Sequence, residues 1–135
     1  MAERFLDTNV LLRHLLQDQP AQSANATRYL AAIEAGGAKV RIADTVIFET
    51  VFTLQRQYGV RKPKIRDTLL PLIDLSGIIL PGKRRLREVF DLYLTYKISF
   101  ADAYHAVLMK RLRLSEIVSY DRGFDKISSI KRVEP

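Results

Sequence analysis

Hydrophobic and polar positions follow two different periods along the chain. Short apolar runs bounded by turn residues predict β-strands, and apolar residues three and four positions apart predict helices. The predicted strands are residues 4–7, 40–43, 78–80, 116–119 and 131–133. The predicted helices are residues 10–17, 21–35, 45–58, 62–76, 86–96 and 99–112. Strands that alternate with helices indicate an α/β fold.

Right-handed crossovers between such strands give a mostly parallel sheet with helices on both faces. Ligands of these sheets bind beyond the carboxyl ends of the strands, and two acids lie there, Asp7 and Asp121. Two local expectations concern the helices. Asp44 suits the N-cap of the third helix. Pro71 lies inside the fourth and is expected to kink or break it.

Length and composition limit the classes of protein. The chain has 135 residues, the size of one domain, and we expect residues 1–135 to form a single domain. It has no cysteine, which excludes disulfides, thiolate zinc sites and a cysteine nucleophile, and fits a reducing compartment. No apolar run approaches the ~18 residues of a membrane span, and the start does not resemble a signal peptide. We therefore expect a cytoplasmic protein with no membrane partner.

The charge is unevenly distributed. The net charge is +7, and residues 56–135 hold 17 of the 22 basic residues but only nine of the 15 acidic ones. A basic excess favours a polyanionic partner such as nucleic acid. A solvated surface that keeps the protein soluble gives the same count, so charge alone leaves both interpretations open.

Four carboxylates stand alone in segments that otherwise look buried or half-buried: Asp7, Glu49, Asp102 and Asp121. None has a Lys or Arg within its own apolar run. A carboxylate removed from water without a partner costs several kcal/mol, and four that converge would either take up protons or hold a cation. Oxygen ligands suit Mg²⁺ or Mn²⁺, so the four acids form a candidate metal site.

Three of the acids also have an ordinary structural interpretation. Asp7 suits a helix N-cap, Asp102 the end of a capping box, and Asp121 a turn. Glu49 lies mid-helix between two phenylalanines, where no cap is needed. It therefore gives the strongest individual argument for a functional acid.

The segments around these acids resemble the PIN-domain family in order and spacing. They read FLDTNVLL at residues 5–12, FETV at 48–51, SFADA at 99–103 and SYDRGFD at 119–125. The resemblance covers essentially the whole chain. The compact length is similar to VapC-type toxin subunits of type II toxin–antitoxin pairs.

The resemblance implies a three-layer α/β/α fold with a short, mostly parallel central sheet, and a Mg²⁺- or Mn²⁺-dependent endoribonuclease. It implies acidic ligands at Asp7, Glu49, Asp102 and Asp121, with Asp125 as a secondary metal ligand. It also implies an RNA substrate, a homodimer, and a cognate antitoxin whose C-terminal segment lies over the active site.

Several polar residues beside the acids are candidates for substrate contacts. Thr8 and Asn9 match the family's polar residues next to the first acid and could hold the scissile phosphate. Arg122 could contact a phosphate or be solvated. His105 shares a helix face with Asp102, and we expect a polar supporting or core role for it rather than general-acid catalysis.

Two aromatic residues flank the last acid, and each has two interpretations. Tyr120 and Phe124 could stack an RNA base or pack under the loop.

Three other functions compete with this one. A haloacid-dehalogenase-like phosphatase would use Asp7 as nucleophile but needs a second Asp where Asn9 stands. A stand-alone PIN-like nuclease in RNA processing, or one that acts on DNA, would have the same acids. A catalytically silent RNA-binding module predicts that Asp7→Asn changes nothing.

Overall fold

The structure is a computed structural model that describes residues 3–135. The chain divides into two compact units, Met1–Lys83 and Arg84–Pro135, called here the first and the second unit. In residues 3–135, no helix is both long and apolar enough to cross a membrane.

The first unit contains a three-stranded parallel sheet and four helices. Its elements are β1 (Arg4–Phe5), α1 (Thr8–Leu16), α2 (Pro20–Glu34), β2 (Val40–Arg41), α3 (Asp44–Arg56), α4 (Lys62–Ile73) and β3 (Ile78–Ile79). The strand order is β1-β2-β3, with Arg4 opposite Val40 and Val40 opposite Ile78. Helix α1 packs against α2 and α3, and α3 packs against α4.

Helix α2 shows why these segments form helices that pack. It begins at Pro20, whose fixed φ suits the first turn. Its buried residues recur three and four positions apart on one face: Ser23, Ala26, Leu30 and Ile33. The chain leaves the helix through Gly36, whose φ of 83° is unfavourable for other residues.

A polar network fixes the corner between α1 and α2. Gln17 ends α1 with a left-handed φ of 51°. Its side-chain amide donates to the His14 carbonyl at 2.7 Å and to the Thr27 hydroxyl at 3.0 Å. The Thr27 hydroxyl also lies 2.8 Å from Nδ1 of His14. These bonds link the last turn of α1 to α2.

The second unit contains two helices and a two-stranded parallel sheet. Its elements are α5 (Leu86–Thr95), α6 (Phe100–Arg111), β4 (Glu116–Val118), a 3₁₀ helix (Arg122–Lys126) and β5 (Lys131–Val133). Glu116 pairs with Lys131 across the sheet. Another 3₁₀ helix, Lys83–Arg85, precedes α5.

Aromatic packing joins α5 to α6. The ring of Phe100 lies 4.9 Å from that of Phe90 and 5.4 Å from that of Tyr93, centroid to centroid. All three side chains are buried. Burial raises the pKa of Tyr93 to about 12, so this phenol stays neutral across the physiological range.

Every predicted helix and strand exists, but some local expectations were wrong. Asp44 is the first residue of α3, and Ala43 is its N-cap. Pro71 does not break α4, which continues to Ile73. Pro71 lies in the last turn, where its missing N–H removes only one helical hydrogen bond. The two 3₁₀ helices were not predicted.

Candidate active site

Asp7 lies between β1 and α1, and its carboxylate does not cap the helix. The residue is the N-cap of α1, with φ −86° and ψ 157°, but its side chain makes no capping hydrogen bond. The side chain is exposed. Asp7 therefore occupies an N-cap position without forming the capping hydrogen bond, which typically stabilises a helix by about 1 kcal/mol.

Glu49 is held by the residue next to Asp7. The hydroxyl of Thr8 donates to Oε2 of Glu49 at 3.0 Å, and so links α1 to α3. Thr8 is buried, whereas Glu49 is exposed on α3. The hydroxyl that was predicted to contact substrate therefore orients a predicted metal ligand in this structure.

Asp102 and Asp121 form a pair in the second unit. Asp102 lies in the first turn of α6 and Asp121 follows β4. Their carboxyl groups lie close enough for each to change the pKa of the other. Burial raises the pKa of Asp102, and the hydrogen bond with Asp121 and its charge raise it further. Two neighbouring carboxylates repel each other, so the charge of Asp121 makes ionisation of Asp102 less favourable. A cation near the pair would reduce this repulsion.

Backbone donors fix Asp121 and keep it ionised. Oδ1 of Asp121 accepts a hydrogen bond from the Gly123 N–H at 2.8 Å, and its own N–H donates to the Ser119 hydroxyl at 2.9 Å. The Gly123 N–H, followed by the hydrogen bond with Asp102, lowers the pKa of Asp121. A Cβ on Gly123 would lie 3.1 Å from Oδ1 of Asp121 and 3.0 Å from Cγ2 of Ile98. A larger residue at this position would therefore have to displace Ile98 or the Asp121 carboxylate by a few tenths of an ångström.

The Ser99 side chain caps the N-terminus of α6, whereas the Asp7 side chain does not cap α1. The Ser99 hydroxyl accepts a hydrogen bond from the Asp102 N–H at 3.1 Å. A hydrogen bond with the Ser99 side chain also lowers the pKa of Asp102, against the larger effect of burial. The serine was identified from the sequence only as part of a capping pattern, and the structure gives it contact with the acid as well.

Asp125 is engaged by an arginine that sequence reasoning missed. Its two carboxylate oxygens accept hydrogen bonds from Arg132 at 2.9 and 3.4 Å. Arg132 also donates to the Ser119 carbonyl and to Glu134. These contacts raise the pKa of Arg132, with the Asp125 hydrogen bond as the largest cause. No short-range pattern pointed to Arg132, because Asp125 lies seven residues before it.

The expected burial of the four acids was wrong. Asp7, Glu49 and Asp121 are exposed, and only Asp102 is half-buried. Some of the apolar neighbours that suggested burial are buried, such as Leu6 and Ile47, because they lie on another face of the same element. Others are themselves exposed, as Phe52 and Val118 are, so an apolar segment did not indicate burial. Water solvates the exposed acids, so their negative charges need no partner cation.

The remaining predicted residues lie at the surface, with one exception. Asn9, Arg122 and His105 are exposed. Tyr120 is 72% exposed, whereas Phe124 is buried at 2%. The structure therefore supports the packing interpretation of Phe124 and leaves the ring of Tyr120 available for stacking.

Within residues 3–135, no group of three or more His, Asp or Glu side chains is arranged as a metal site. The donors that the two units do present are carboxylate oxygens, which are the ligands that Mg²⁺ and Mn²⁺ prefer. The proximity of Asp102 and Asp121 also fits a divalent ion, because the ion would stabilise both carboxylates in their charged form.

Comparisons with known proteins agree with the motifs. The PIN domain family matches residues 4–130. A VapC ribonuclease from Aquifex aeolicus is 26% identical over 132 residues, which are 98% of this chain and 96% of the relative. Ribonuclease VapC13 from Mycobacterium tuberculosis is 25% identical over 135 residues, which are 96% of this chain and 98% of the relative. These matches and the parallel strands confirm the predicted resemblance and the three-layer α/β/α fold class.

Proposed function

Because the chain belongs to the PIN-domain family, we propose that it is a metal-dependent endoribonuclease that hydrolyses RNA phosphodiester bonds. We propose further that residues 1–135 act as one nuclease domain and as the toxin of a toxin–antitoxin pair. The names of the relatives, VapC ribonuclease and ribonuclease VapC13, support the activity. The observation that carries the proposal is the proximity of Asp102 and Asp121, each of which changes the pKa of the other.

A phosphodiester is anionic, so its hydrolysis requires an attacking oxygen in line with the leaving oxygen and neutralised charge at both. A divalent ion, Mg²⁺ or Mn²⁺, supplies that neutralisation when bound and lowers the pKa of its water. In the proposal Asp7 and Asp121 are direct ligands, each at the end of a parallel strand. Asp125 is a secondary ligand candidate, which would have to leave Arg132 to serve.

The other two acids have a different task in the proposal. Glu49 and Asp102 complete the ligand set, directly or through water, and orient or deprotonate the attacking water. Thr8 holds one oxygen of Glu49, which fixes the direction of its second oxygen. The raised pKa of Asp102 makes it the better proton acceptor of its pair.

Basic residues serve the RNA in this scheme, since contacts to phosphates hold a nucleic acid irrespective of sequence. Asn9 and Arg122 are the proposed phosphate contacts nearest to the acids along the chain. Both side chains are exposed, as such contacts require.

The test incubates the purified chain with total cellular RNA and Mg²⁺ or Mn²⁺. Discrete fragments should form, and both EDTA and Asp7→Asn should abolish them. Asp91→Asn is the matched control, because it makes the same chemical change at an exposed aspartate of α5 outside the acid set, and it should cut normally. If the folded, metal-loaded chain cuts no RNA, the proposal is wrong.

The proposed partners are a second copy of the chain and a small antitoxin protein, in the cytoplasm. Co-expression with the gene next to its own should yield a complex that suppresses cleavage. A chain that purifies alone, and whose activity no neighbouring gene product affects, would instead support a stand-alone nuclease.

A further inference from the structure

A groove of about 640 Å³ lies in the first unit, and none of the predicted acids lines it. Its volume is within the range of about 300–1,000 Å³ that is typical of small-molecule sites. Its walls are one face of α1 and one face of α2, and residues of β1 and β2 complete it. On α2 the lining residues recur at helical spacing: Gln22, Asn25, Ala26 and Tyr29.

The groove is basic. Arg4 and Arg13 line it, and no acidic side chain of the described residues does. The guanidinium of Arg4 forms no ion pair with any described residue. Nε of Arg13 is buried and makes no hydrogen bond, although Oδ1 of Asp18 lies 3.4 Å from it. The Asp18 carboxylate offsets part of the charge of Arg13, so Arg4 is the less compensated cation of the groove.

The groove also offers aromatic rings. Phe5 is 61% exposed on β1, and no core packing accounts for its position. Tyr29 is half-buried on α2 and also lines the groove. The same groove therefore contains two types of group that bind nucleotides. Aromatic rings stack against a base, and arginine guanidinium groups bind a phosphate through two hydrogen bonds.

Amide groups supply directional hydrogen bonds in the same groove. The side-chain oxygen of Asn25 accepts a hydrogen bond from Arg28 at 2.9 Å. Its NH₂ group is thereby left as the donor for a ligand. A phosphate alone needs no such donor, whereas the edge of a base does.

The groove adjoins the proposed active site along α1. Asn9 lines it, two residues after Asp7. Arg13 lies one helical turn further on, on the same face of α1. A polynucleotide whose phosphate lies near Asp7 can therefore continue along this face into the groove.

From this arrangement we propose that the groove binds one or two nucleotides of single-stranded RNA next to the scissile bond. Arg4 and Arg13 hold a phosphate, and a base stacks against Phe5 or Tyr29. The inference rests on the proposed function, and it assigns part of the substrate selection to the α1–α2 face.

The first test measures binding of a labelled single-stranded RNA in the Asp7→Asn background, where the RNA is not cut. Tyr29→Leu should weaken binding by roughly 5- to 100-fold, because stacking of one base is lost, and Tyr29→Phe should retain it. Arg13→Gln should lower the slope of log affinity against log salt by about 0.7, as expected for one lost phosphate contact. Lys39→Gln removes one exposed charge outside the groove and should change the affinity least.

The second test measures cleavage in the otherwise unchanged chain. Tyr29→Leu should raise KM while kcat stays the same, since the groove binds substrate and transition state equally. Thermal unfolding checks the fold of each variant. If Arg13→Gln unfolds at lower temperature, the Leu and Phe variants of Tyr29 still provide a matched pair.

The outcomes separate the two proposals. If the unchanged chain cuts RNA but Tyr29→Leu and Arg13→Gln behave like Lys39→Gln in both tests, the groove inference is wrong and the nuclease proposal stands. If the chain cuts no RNA, the nuclease proposal fails, whatever the binding test shows. If the variants weaken binding of a protein partner but not of RNA, the groove is a protein site and the inference is overturned.

Discussion

Asp7 and Asp121 occupy equivalent places in the two units, but the fold uses them differently. Each follows a parallel strand and is the N-cap of the next helical segment. Asp121 accepts a hydrogen bond from the Gly123 N–H, whereas Asp7 makes no capping bond. An acid at an N-cap therefore has a structural role in the second unit only. In the first unit the carboxylate makes no capping bond, which leaves it available for the ligand role proposed above.

The largest expected effect follows from the unused carboxylate of Asp7. Asp7→Asn should reduce cleavage by about 100- to 1,000-fold, the loss expected when several kcal/mol of charge stabilisation are removed. The free energy of unfolding, measured by urea denaturation, should stay within about 0.5 kcal/mol of the original. A large loss of stability in this variant would show that the fold does depend on Asp7.

The next effect concerns the hydroxyl that holds Glu49. Thr8→Val keeps the shape of the side chain but removes the donor to Oε2 of Glu49. Cleavage should fall about 10- to 100-fold, which is typical when a group that orients a metal ligand is lost. Thr8→Ser, which retains the hydroxyl, should cut nearly normally. Equal losses in the Ser and Val variants would assign the effect to packing and not to the hydrogen bond.

The third prediction tests the structural role of Asp121. Asp121→Ala should lower the free energy of unfolding by about 1 kcal/mol, because the Gly123 N–H loses its acceptor. Asp121→Asn should retain most of that stability, since its amide oxygen can still accept the bond. Both variants should lose cleavage. Urea denaturation in parallel with the RNA assay separates the two roles, and equal stability of the two variants would contradict the capping role.

The smallest effect is a pH dependence in the first unit. Burial lowers the pKa of His14, so its proton binds more tightly to the unfolded chain. The free energy of unfolding is therefore highest above about pH 6.5, the pKa of a free histidine, where His14 is neutral in both states. It decreases as the pH falls towards the lowered pKa of the folded chain, because the unfolded chain takes up the proton first. Thermal unfolding of the original chain should show this decline, and His14→Gln should flatten it. A decline of equal size in both proteins would assign the titration to another group.

Sequence patterns predicted the order and type of every helix and strand because each signal was local. Apolar spacing located α2 and α5, and Gly36 marked the end of α2. The predicted N-cap of α3 was one residue too late, and the predicted break at Pro71 does not occur before the end of α4. Both concern helix ends, which depend on bonds that propensity does not determine.

The acids were identified from the sequence, but their contacts were not. Asp102 and Asp121 meet because α6 and the segment after β4 approach each other, and no periodicity describes such an approach. The engagement of Asp125 by Arg132 is likewise a tertiary contact. Exposure was misjudged because an apolar neighbour along the chain can lie on the opposite face of the same helix.

The core face and the groove face of α2 meet at Ala26 and otherwise consist of different residues. Its core face carries Ser23, Leu30 and Ile33, whereas Gln22 and Tyr29 belong to the groove face. A change of side chain at Gln22 or Tyr29 leaves the core face intact. Descendants of this chain can therefore exchange the groove residues one at a time while the acids and the packing stay constant. Such a helix lets a lineage acquire a new target without first losing its fold.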